Sequence, residues 1–261
     1  MSLICFFVAF LACILGKICG MGGGVIIKPV LDGLGVINVS AINFLSGCTV
    51  IGMSFWSVGS SAIRQESQID WKLSSPLAAG AALGGILGKD LFNQVAVLFS
   101  DANTAGGIQA GLLFFDTLVT LIYTIKKASI PTKHVTSPLI CAIIGLLLGL
   151  LGAFLGIGGG PFNMAVLFFF FSMPTKIAAQ NSLYIILISQ ITGLLKNIFS
   201  NQIPQFSLSI LVGMIFFGIL GSEIGGRLNH KLLDSKATLL FEEAMILVMG
   251  INVYNIYKFL L

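Results

Sequence analysis

The sequence predicts an all-α, polytopic integral membrane protein with two repeats, each containing a helix broken by glycines. Hydrophobic residues make up 56% of the chain and charged residues only 9%, and the mean hydropathy is +1.01. Many apolar runs reach the length of about 20 residues that a helix needs to cross the hydrocarbon core. The runs are continuous rather than alternating, which favours spanning helices over a membrane β-barrel.

Two glycine clusters define the repeat. Gly-Met-Gly-Gly-Gly at 20–24 returns as Gly-Ile-Gly-Gly-Gly at 156–160, and the same step of 136 positions relates Ser46 to Ser182. Glycine costs about 1 kcal/mol per residue in a helix interior relative to alanine, so three in a row end a helix. We therefore predict repeat 1 over 1–128, a short connector over 129–134 and repeat 2 over 135–261.

Ten apolar segments are predicted, five in each half, giving about 8–10 membrane-spanning or half-membrane helices. They cover 2–19, 24–33, 38–63, 74–99, 105–126, 136–155, 161–172, 176–199, 206–229 and 238–260. The second segment of each half is too short to cross alone. Each first-and-second pair is therefore either a helical hairpin or one broken crossing.

The positive charges favour the hairpins. With hairpins, nine lysine and arginine residues share one face and three lie on the other, whereas single broken crossings divide them six to six. Cytoplasmic loops carry an excess of positive charge, so the uneven arrangement is preferred. It predicts that the two halves are inverted relative to each other and that both termini lie outside.

The glycine clusters are the predicted substrate site. Irregular backbone at membrane depth occurs only where it is buried in protein or lines a cavity, and broken helices in both halves of a transporter mark its substrate site. The helix that restarts after each cluster presents free N–H groups to an anion. The predicted ligands are the backbone of Gly22, Gly23, Gly24, Gly158, Gly159 and Gly160, with hydrogen bonds from Ser46, Asn181 and Ser182. Close helix packing is the alternative role for these glycines.

Charged residues inside the predicted helices are candidates for function. Lys17 and Lys28 flank the first cluster and could add positive potential for an anion. Asp116 is alone in the fifth segment and is the candidate for coupling transport to protons; its alternative role is a structural partner for Lys89. A pair four residues apart on one helix, Glu223 with Arg227, is predicted to form a salt bridge.

Other functions find little support. The two histidines, His134 and His230, fall near predicted loops, no paired carboxylates occur, and the five cysteines are scattered without metal-ligand spacing. We predict no enzymatic activity, no catalytic residues, no metal, no cofactor and no nucleic-acid partner. The net charge of +4 is explained by loop lysines that orient the chain in the bilayer.

The two glycine clusters, together with Ala-Gln-Asn-Ser-Leu at 179–183, resemble the sulfite exporter TauE/SafE family. This resemblance covers essentially the whole chain. It implies a secondary transporter of small sulfur-containing anions, such as sulfite, sulfoacetate or other organosulfonates, in the plasma or inner membrane. An anion channel is the first alternative, and a membrane enzyme or an accessory protein follows. Substrate, direction, coupling ion and oligomeric state stay open, with a homodimer among the arrangements allowed.

Overall fold

A computed structural model describes residues 2–35, 37–98 and 102–260. Within these residues the chain forms ten α-helices, a 3-10 turn at Lys127–Ser129 and no strand. The helices are α1 Ser2–Cys19, α2 Gly24–Leu34, α3 Val39–Ile63, α4 Trp71–Leu98, α5 Ala102–Lys126, α6 Pro138–Phe154, α7 Pro161–Phe171, α8 Thr175–Phe199, α9 Leu208–Lys231 and α10 Asp234–Leu260. The predicted segment end at 99 and the predicted repeat ends at 1 and 261 lie outside the described residues.

The helices have the length and polarity of a membrane protein. Six stretches among the described residues are long and apolar enough to cross a bilayer: Ser2–Cys19, Val39–Ile63, Gly106–Ser129, Thr175–Phe199, Leu208–Lys231 and Asp234–Phe259. Large apolar side chains such as Phe7 and Phe115 point outward, while Ser46, Thr49 and Ser182 are buried inside. The chain is therefore an integral membrane protein of the all-α class, as predicted.

Contacts between helices fix their directions. Along α1 and α9, Phe6 meets Gly213 and Ile14 meets Gly225, so these two helices run parallel. Along α4 and α6, Leu77 meets Gly145 and Leu150 meets Gly88, so they are parallel as well. Helix α8 runs with α4, because the start of α8 is bonded to the start of α4 and the ends are joined by a Lys196–Asp90 salt bridge of 3.0 Å. Lys176 at the start of α8 donates to the carbonyl of Leu232, just after the end of α9, so α8 and α9 run in opposite directions. Helices α1 and α6 therefore run in opposite directions as well.

Two faces of the helix bundle can therefore be distinguished. The basic face carries the loops at 64–70, 127–137, 172–174 and 232–233, and the opposite face carries residues 37–38 and the loop at 200–207. Nine of the lysine and arginine residues lie at the basic face: Arg64, Lys72, Lys126, Lys127, Lys133, Lys176, Arg227, Lys231 and Lys236. The positive-inside rule predicts that the basic face is cytoplasmic, and this orientation stays a prediction.

Each glycine break closes a hairpin. Helix α1 starts at the opposite face, and α2 returns there, because Lys258 at the end of α10 donates a 3.0 Å hydrogen bond to the carbonyl of Gly33. Helix α6 starts at the basic face, and α7 returns there. Ser172, just after the end of α7, bonds through its hydroxyl to the 132–133 segment, which precedes α6. The chain turns left-handed at matching positions of the two breaks, with φ of 70° and 74° at Gly20 and Gly22 and of 70° and 79° at Gly156 and Gly158.

The most extensive helix contacts join the two halves. Helix α4 packs on α6, α1 on α9, α5 on α10, and α3 on both α8 and α9. In the predicted repeat, α1 to α5 correspond to α6 to α10 in order. The α1–α9 contact then corresponds to the α6–α4 contact, and the α3–α9 contact corresponds to the α8–α4 contact. The two halves thus interlock rather than forming separate bodies. The assignment of 1–128 and 135–261 as two repeats stays a prediction.

Glycines allow α4 and α6 to pack with their backbones in contact. A Cβ on Gly80 or Gly84 of α4 would overlap a carbonyl of α6, and one on Gly145 or Gly149 would overlap a carbonyl of α4. Without a hydrophobic driving force between helices in lipid, such close packing of small residues supplies much of the attraction. The interface therefore has no space for larger side chains.

Gly145→Val should separate α4 from α6 and destabilise the protein in detergent. Overpacking a core costs about 1–3 kcal/mol, and here the obstacle is backbone, which cannot rotate away. We expect a clear fall in the thermal unfolding midpoint. Gly111→Val is the matched control, because the space beside Gly111 on α5 is open among the described residues. Equal midpoints for the two variants would contradict the role given to the α4–α6 contact.

Candidate functional site: two cavities separated by crossed glycine breaks

The two glycine breaks lie against each other in the interior. A Cβ on Gly24 would overlap the carbonyl oxygen of Ile157 and would lie 3.1 Å from the hydroxyl of Ser46. On the other side, Gly22 and Gly159 both adjoin the buried side chain of Ile186, 3.5 Å from the Cβ position of Gly22. Helices α2 and α7 therefore begin close together, as the predicted anion site requires.

Two buried hydroxyls stand near the start of the third helix of each half. Ser46 and Ser182 are both fully buried, and neither Oγ has a hydrogen-bond partner among the described residues. Leaving a buried polar group unsatisfied costs about 1–3 kcal/mol, so such groups call for an explanation. Because the two serines are related by the repeat step, the same unsatisfied group occurs in each half. A bound polar ligand would satisfy both.

A cavity opens toward each face of the bundle. The basic-face cavity has a volume of about 230 Å³ and the opposite-face cavity about 280 Å³. A water molecule occupies about 30 Å³ in the liquid, so either cavity can hold several waters or a small organic anion. The opposite-face cavity reaches Gly156 of the second break, and the basic-face cavity reaches Lys17 at the end of α1. The crossed breaks and the buried side chains of Val50 and Ile186 lie between them.

The cavities are lined by equivalent parts of the two halves. Ser40, Asn43, Phe44, Lys89, Phe92, Ala153, Gly156, Gln190, Asn197, Gln202, Ile203 and Pro204 line the opposite-face cavity. Lys17, Ser60, Ser61, Arg64, Glu66, Gln68, Lys176, Gln180, Ser222, Glu223, Gly226, Asn229 and His230 line the basic-face cavity. Stepping 136 or 137 positions relates Ser61 to Asn197, Gln68 to Pro204 and Phe92 to Asn229. The two cavities are thus counterparts on opposite faces.

An ion-pair network borders the basic-face cavity. The carboxylate of Glu223 accepts hydrogen bonds from Arg64 at 2.6 Å, from Arg227 at 2.8 Å and from the indole of Trp56 at 3.0 Å. The first of these raises the pKa of Arg64, which lies just beyond the end of α3. The predicted Glu223–Arg227 pair is confirmed. At the opposite face the Lys196–Asp90 salt bridge joins α8 to α4, the counterpart pair of α3 and α9.

Two predicted site residues are already engaged elsewhere. The ammonium of Lys28 forms a 2.5 Å salt bridge with Asp32 on the same helix, and both side chains are buried. The amide of Asn181 accepts hydrogen bonds from Ser74 and from the backbone N–H of Asp70, and donates to the carbonyls of Gln68 and Ile177. The positive charge of Lys28 is therefore balanced by Asp32, and both N–H donors of the Asn181 amide are already used. Asn181 instead anchors the loop before α4.

Asp116 lies beside the second glycine break. Its Oδ2 is shielded from solvent, stands 3.1 Å from the Cβ position of Gly160 and has no hydrogen-bond partner among the described residues. The carboxylate also interacts with the backbone N–H of Phe162, in the first turn of α7. The alternative role as partner of Lys89 is wrong, because the Lys89 ammonium donates to the carbonyl of Gly193 instead. Asp116 is thus placed where its charge acts on the start of α7.

The sequence analysis gave no site role to Lys89, Gln190 or Asn197. All three line the opposite-face cavity. The sequence did contain a signal for Lys89, since a lysine inside an apolar segment is a functional candidate by default.

A bundle of apolar helices with a glycine-broken helix in each half and a cavity at each face is typical of a membrane transporter. The sequence profile described as "Sulfite exporter TauE/SafE" matches residues 5–253, so the chain belongs to that family. The "Probable membrane transporter protein YunE" of Bacillus subtilis (strain 168) is 23% identical over 241 residues, which cover 83% of this chain and 85% of the relative. No solved structure matches the chain significantly.

Proposed function

We propose that the protein carries small anions across the plasma membrane by alternating access, with the anion passing between the crossed glycine breaks. The observation that carries this proposal is the pair of equivalent cavities, one at each face, with the breaks between them. In an inverted-repeat transporter, rocking of one part against the other opens such cavities in turn. The family description favours a sulfur-containing anion such as sulfite, sulfoacetate or another organosulfonate.

The proposed site is electrically and chemically suited to an oxyanion. The segments that lead into α2 and α7 supply backbone N–H groups at Gly22, Gly24, Gly159 and Gly160, where helix dipoles favour negative charge. Of the six predicted N–H donors, those of Gly23 and Gly158 already donate to Sδ of Met53 and to the carbonyl of Gly152. The hydroxyls of Ser46 and Ser182 add two donors that have no partner among the described residues. Lys17, buried and without a carboxylate in salt-bridge distance among those residues, supplies a positive charge. The proposal leaves out Lys28, because Asp32 balances its charge.

Counterflow in proteoliposomes tests the proposal. Vesicles holding purified protein are loaded with unlabelled anion and diluted into the labelled anion, using sulfite, sulfate, sulfoacetate and methanesulfonate in turn. A carrier concentrates the label transiently, whereas an open channel does not. We expect counterflow with sulfite or a sulfonate. Flux without counterflow would favour the channel, and no flux for any of the four would contradict the proposal.

The two serines should contribute to affinity in the same assay. Ser46→Ala and Ser182→Ala each remove one donor to a charged ligand, a contact worth about 1.5–3 kcal/mol, so we expect KM to rise about 10- to 100-fold. Thr49→Val is the matched control, because the hydroxyl of Thr49 already donates to the carbonyl of Leu45 on its own helix. Serine variants with the KM of wild type would remove these two residues from the site.

A further inference from the structure

Lys17 in the basic-face cavity, where Lys176 is a second lysine, and Lys89 in the opposite-face cavity are not equivalent in the repeat. Lys17 belongs to α1 and lines the basic-face cavity, while Lys89 belongs to α4 and lines the opposite-face cavity. The repeat step relates Lys17 to Ala153, and Lys89 to Gly226. A comparison of the two halves by sequence therefore shows two isolated lysines with no counterparts.

In space, however, the two ammonium groups occupy equivalent places. Nζ of Lys17 donates a 2.5 Å hydrogen bond to the hydroxyl of Ser57 on α3. Nζ of Lys89 donates a 3.0 Å hydrogen bond to the carbonyl of Gly193 on α8. Ser57 and Gly193 are 136 positions apart and are thus counterparts. Each cavity has a lysine ammonium at the same point of its wall.

Helix packing explains how two lysines at unrelated sequence positions can place their ammonium groups at equivalent points of the two cavities. Helix α1 packs along α9, and α6 packs along α4 in the same way, so both helices of a pair face one cavity. Beside Lys17, helix α9 has Gly226, whose Cβ position lies 3.4 Å from Cε of the lysine. In the other cavity Lys89 is supplied by α4, and α6 contributes the small Ala153. The lysine of the basic-face cavity thus comes from α1, whereas that of the opposite-face cavity comes from α4, the counterpart of α9 and not of α1.

Both ammonium groups are available to an anion. Neither forms a salt bridge among the described residues, and the described lining of the opposite-face cavity contains no carboxylate. In the basic-face cavity Glu223 is held by Arg64 and Arg227, and Glu66 contacts His230 at 2.9 Å. Around Lys89 the amides of Asn43, Gln190 and Asn197 offer further donors.

We propose that Lys17 and Lys89 are two equivalent anion-binding stations, one in each cavity, which hold the transported anion before and after it passes the glycine breaks. The ligand class is a small anion with one oxyanion group, since each station offers one lysine ammonium together with neutral hydroxyl or amide donors. This inference rests on the proposed function. It adds Lys89 to the site and assigns each of the two lysines to one face of the membrane.

Sided uptake tests the pair. Labelled sulfite is offered to one face at a time, in right-side-out and inside-out vesicles. Lys89→Gln should raise KM about tenfold or more for sulfite offered at the opposite face, because a charge-assisted contact is lost. The same variant should leave KM at the basic face nearly unchanged. Lys17→Gln should show the reverse, which loss of folded protein alone would not produce.

Restoring each charge from the other helix is the sharper test. Lys17→Ala with Gly226→Lys returns a cation to the basic-face cavity, and Lys89→Ala with Ala153→Lys returns one to the opposite-face cavity. Each double variant should recover most of the affinity lost in its single variant. If a single variant does not fold, the KM of its double variant, compared with that of wild type, still tests the proposal. Lys196→Gln is the control, since Lys196 is paired with Asp90 outside the described cavity linings.

The outcomes separate this inference from the proposed function. If the wild type takes up the anion and the lysine variants have unchanged KM at both faces, the anion-binding roles of Lys17 and Lys89 are overturned, while the proposed function still holds. Equal effects at both faces, or double variants without recovery, would also overturn them. No uptake of any tested anion by the wild type would overturn the proposed function, and the stations with it.

Discussion

Gly24→Ala should lower anion flux about 10- to 100-fold while the protein remains folded in detergent. The added methyl group would overlap the carbonyl oxygen of Ile157 in the other break and crowd the hydroxyl of Ser46. A carbonyl oxygen of the backbone cannot move aside as a side-chain end can, so the two breaks must separate. Overpacking of this kind costs about 1–3 kcal/mol, and each 1.4 kcal/mol is a factor of ten.

Initial rates of labelled sulfite uptake, compared at equal amounts of monodisperse protein, measure this effect. Gly59→Ala on α3 is the control, because no described atom lies within 4 Å of its Cβ position. Gly158→Ala is a second variant, since its φ of 79° disfavours any side chain and its Cβ would overlap Gln190. Wild-type uptake in both break variants would show that the crossing of the breaks is unrelated to transport.

Asp116→Asn should abolish the dependence of uptake on a pH gradient. The carboxylate lies beside Gly160 and interacts with the N–H of Phe162, so its charge acts on the start of α7, where the anion is proposed to bind. An ionised Asp116 would compete electrostatically with the substrate for this helix terminus, whereas a protonated one would not. Binding of the anion would thereby be linked to uptake of a proton.

The amide keeps the shape of the side chain and removes the charge. Asparagine already stands at the equivalent position 252, where its amide donates to the carbonyl of Val248. Uptake is measured with and without an imposed pH gradient. Asp90→Asn serves as the control, because Asp90 is paired with Lys196. If the gradient still accelerates Asp116→Asn as much as wild type, coupling belongs to another group.

The sequence predicted the helices better than it predicted the site. Continuous apolar runs ended by Gly20–Gly24 and 156–160 mark helix boundaries directly, and all ten predicted segments appear within a few residues of their bounds. The hairpin form of each break followed from counting loop lysines. The helix ends depend on neighbouring residues, and the hairpin form depends on a count of positive charges. Both can therefore be predicted from the sequence alone.

The partners of polar side chains are a different matter. Asn181 lies next to Ser182 and looked equally suited to a ligand, but a loop more than 100 residues away engages it. Lys28 appeared free until helix geometry placed Asp32 one turn further on. Lys89 was considered only as a partner for Asp116. The Lys28–Asp32 pair was overlooked although its spacing of four residues reveals it, as the same spacing did for Glu223 and Arg227. The partners of Asn181 and Lys89 are long-range contacts, which spacing along the chain does not reveal.

The interlocking of the two halves has a consequence for biosynthesis. Helix α1 packs along α9, but the stretch from Cys19 to Leu208 takes roughly 10–40 s to synthesise at about 5–20 residues per second. During that interval Lys17 lies in a nascent helix without the α9 surface that later covers its stem. The insertion machinery or a chaperone must shelter this hairpin until the second half arrives. Truncated chains ending before α9 should accordingly be degraded rather than accumulate in the membrane.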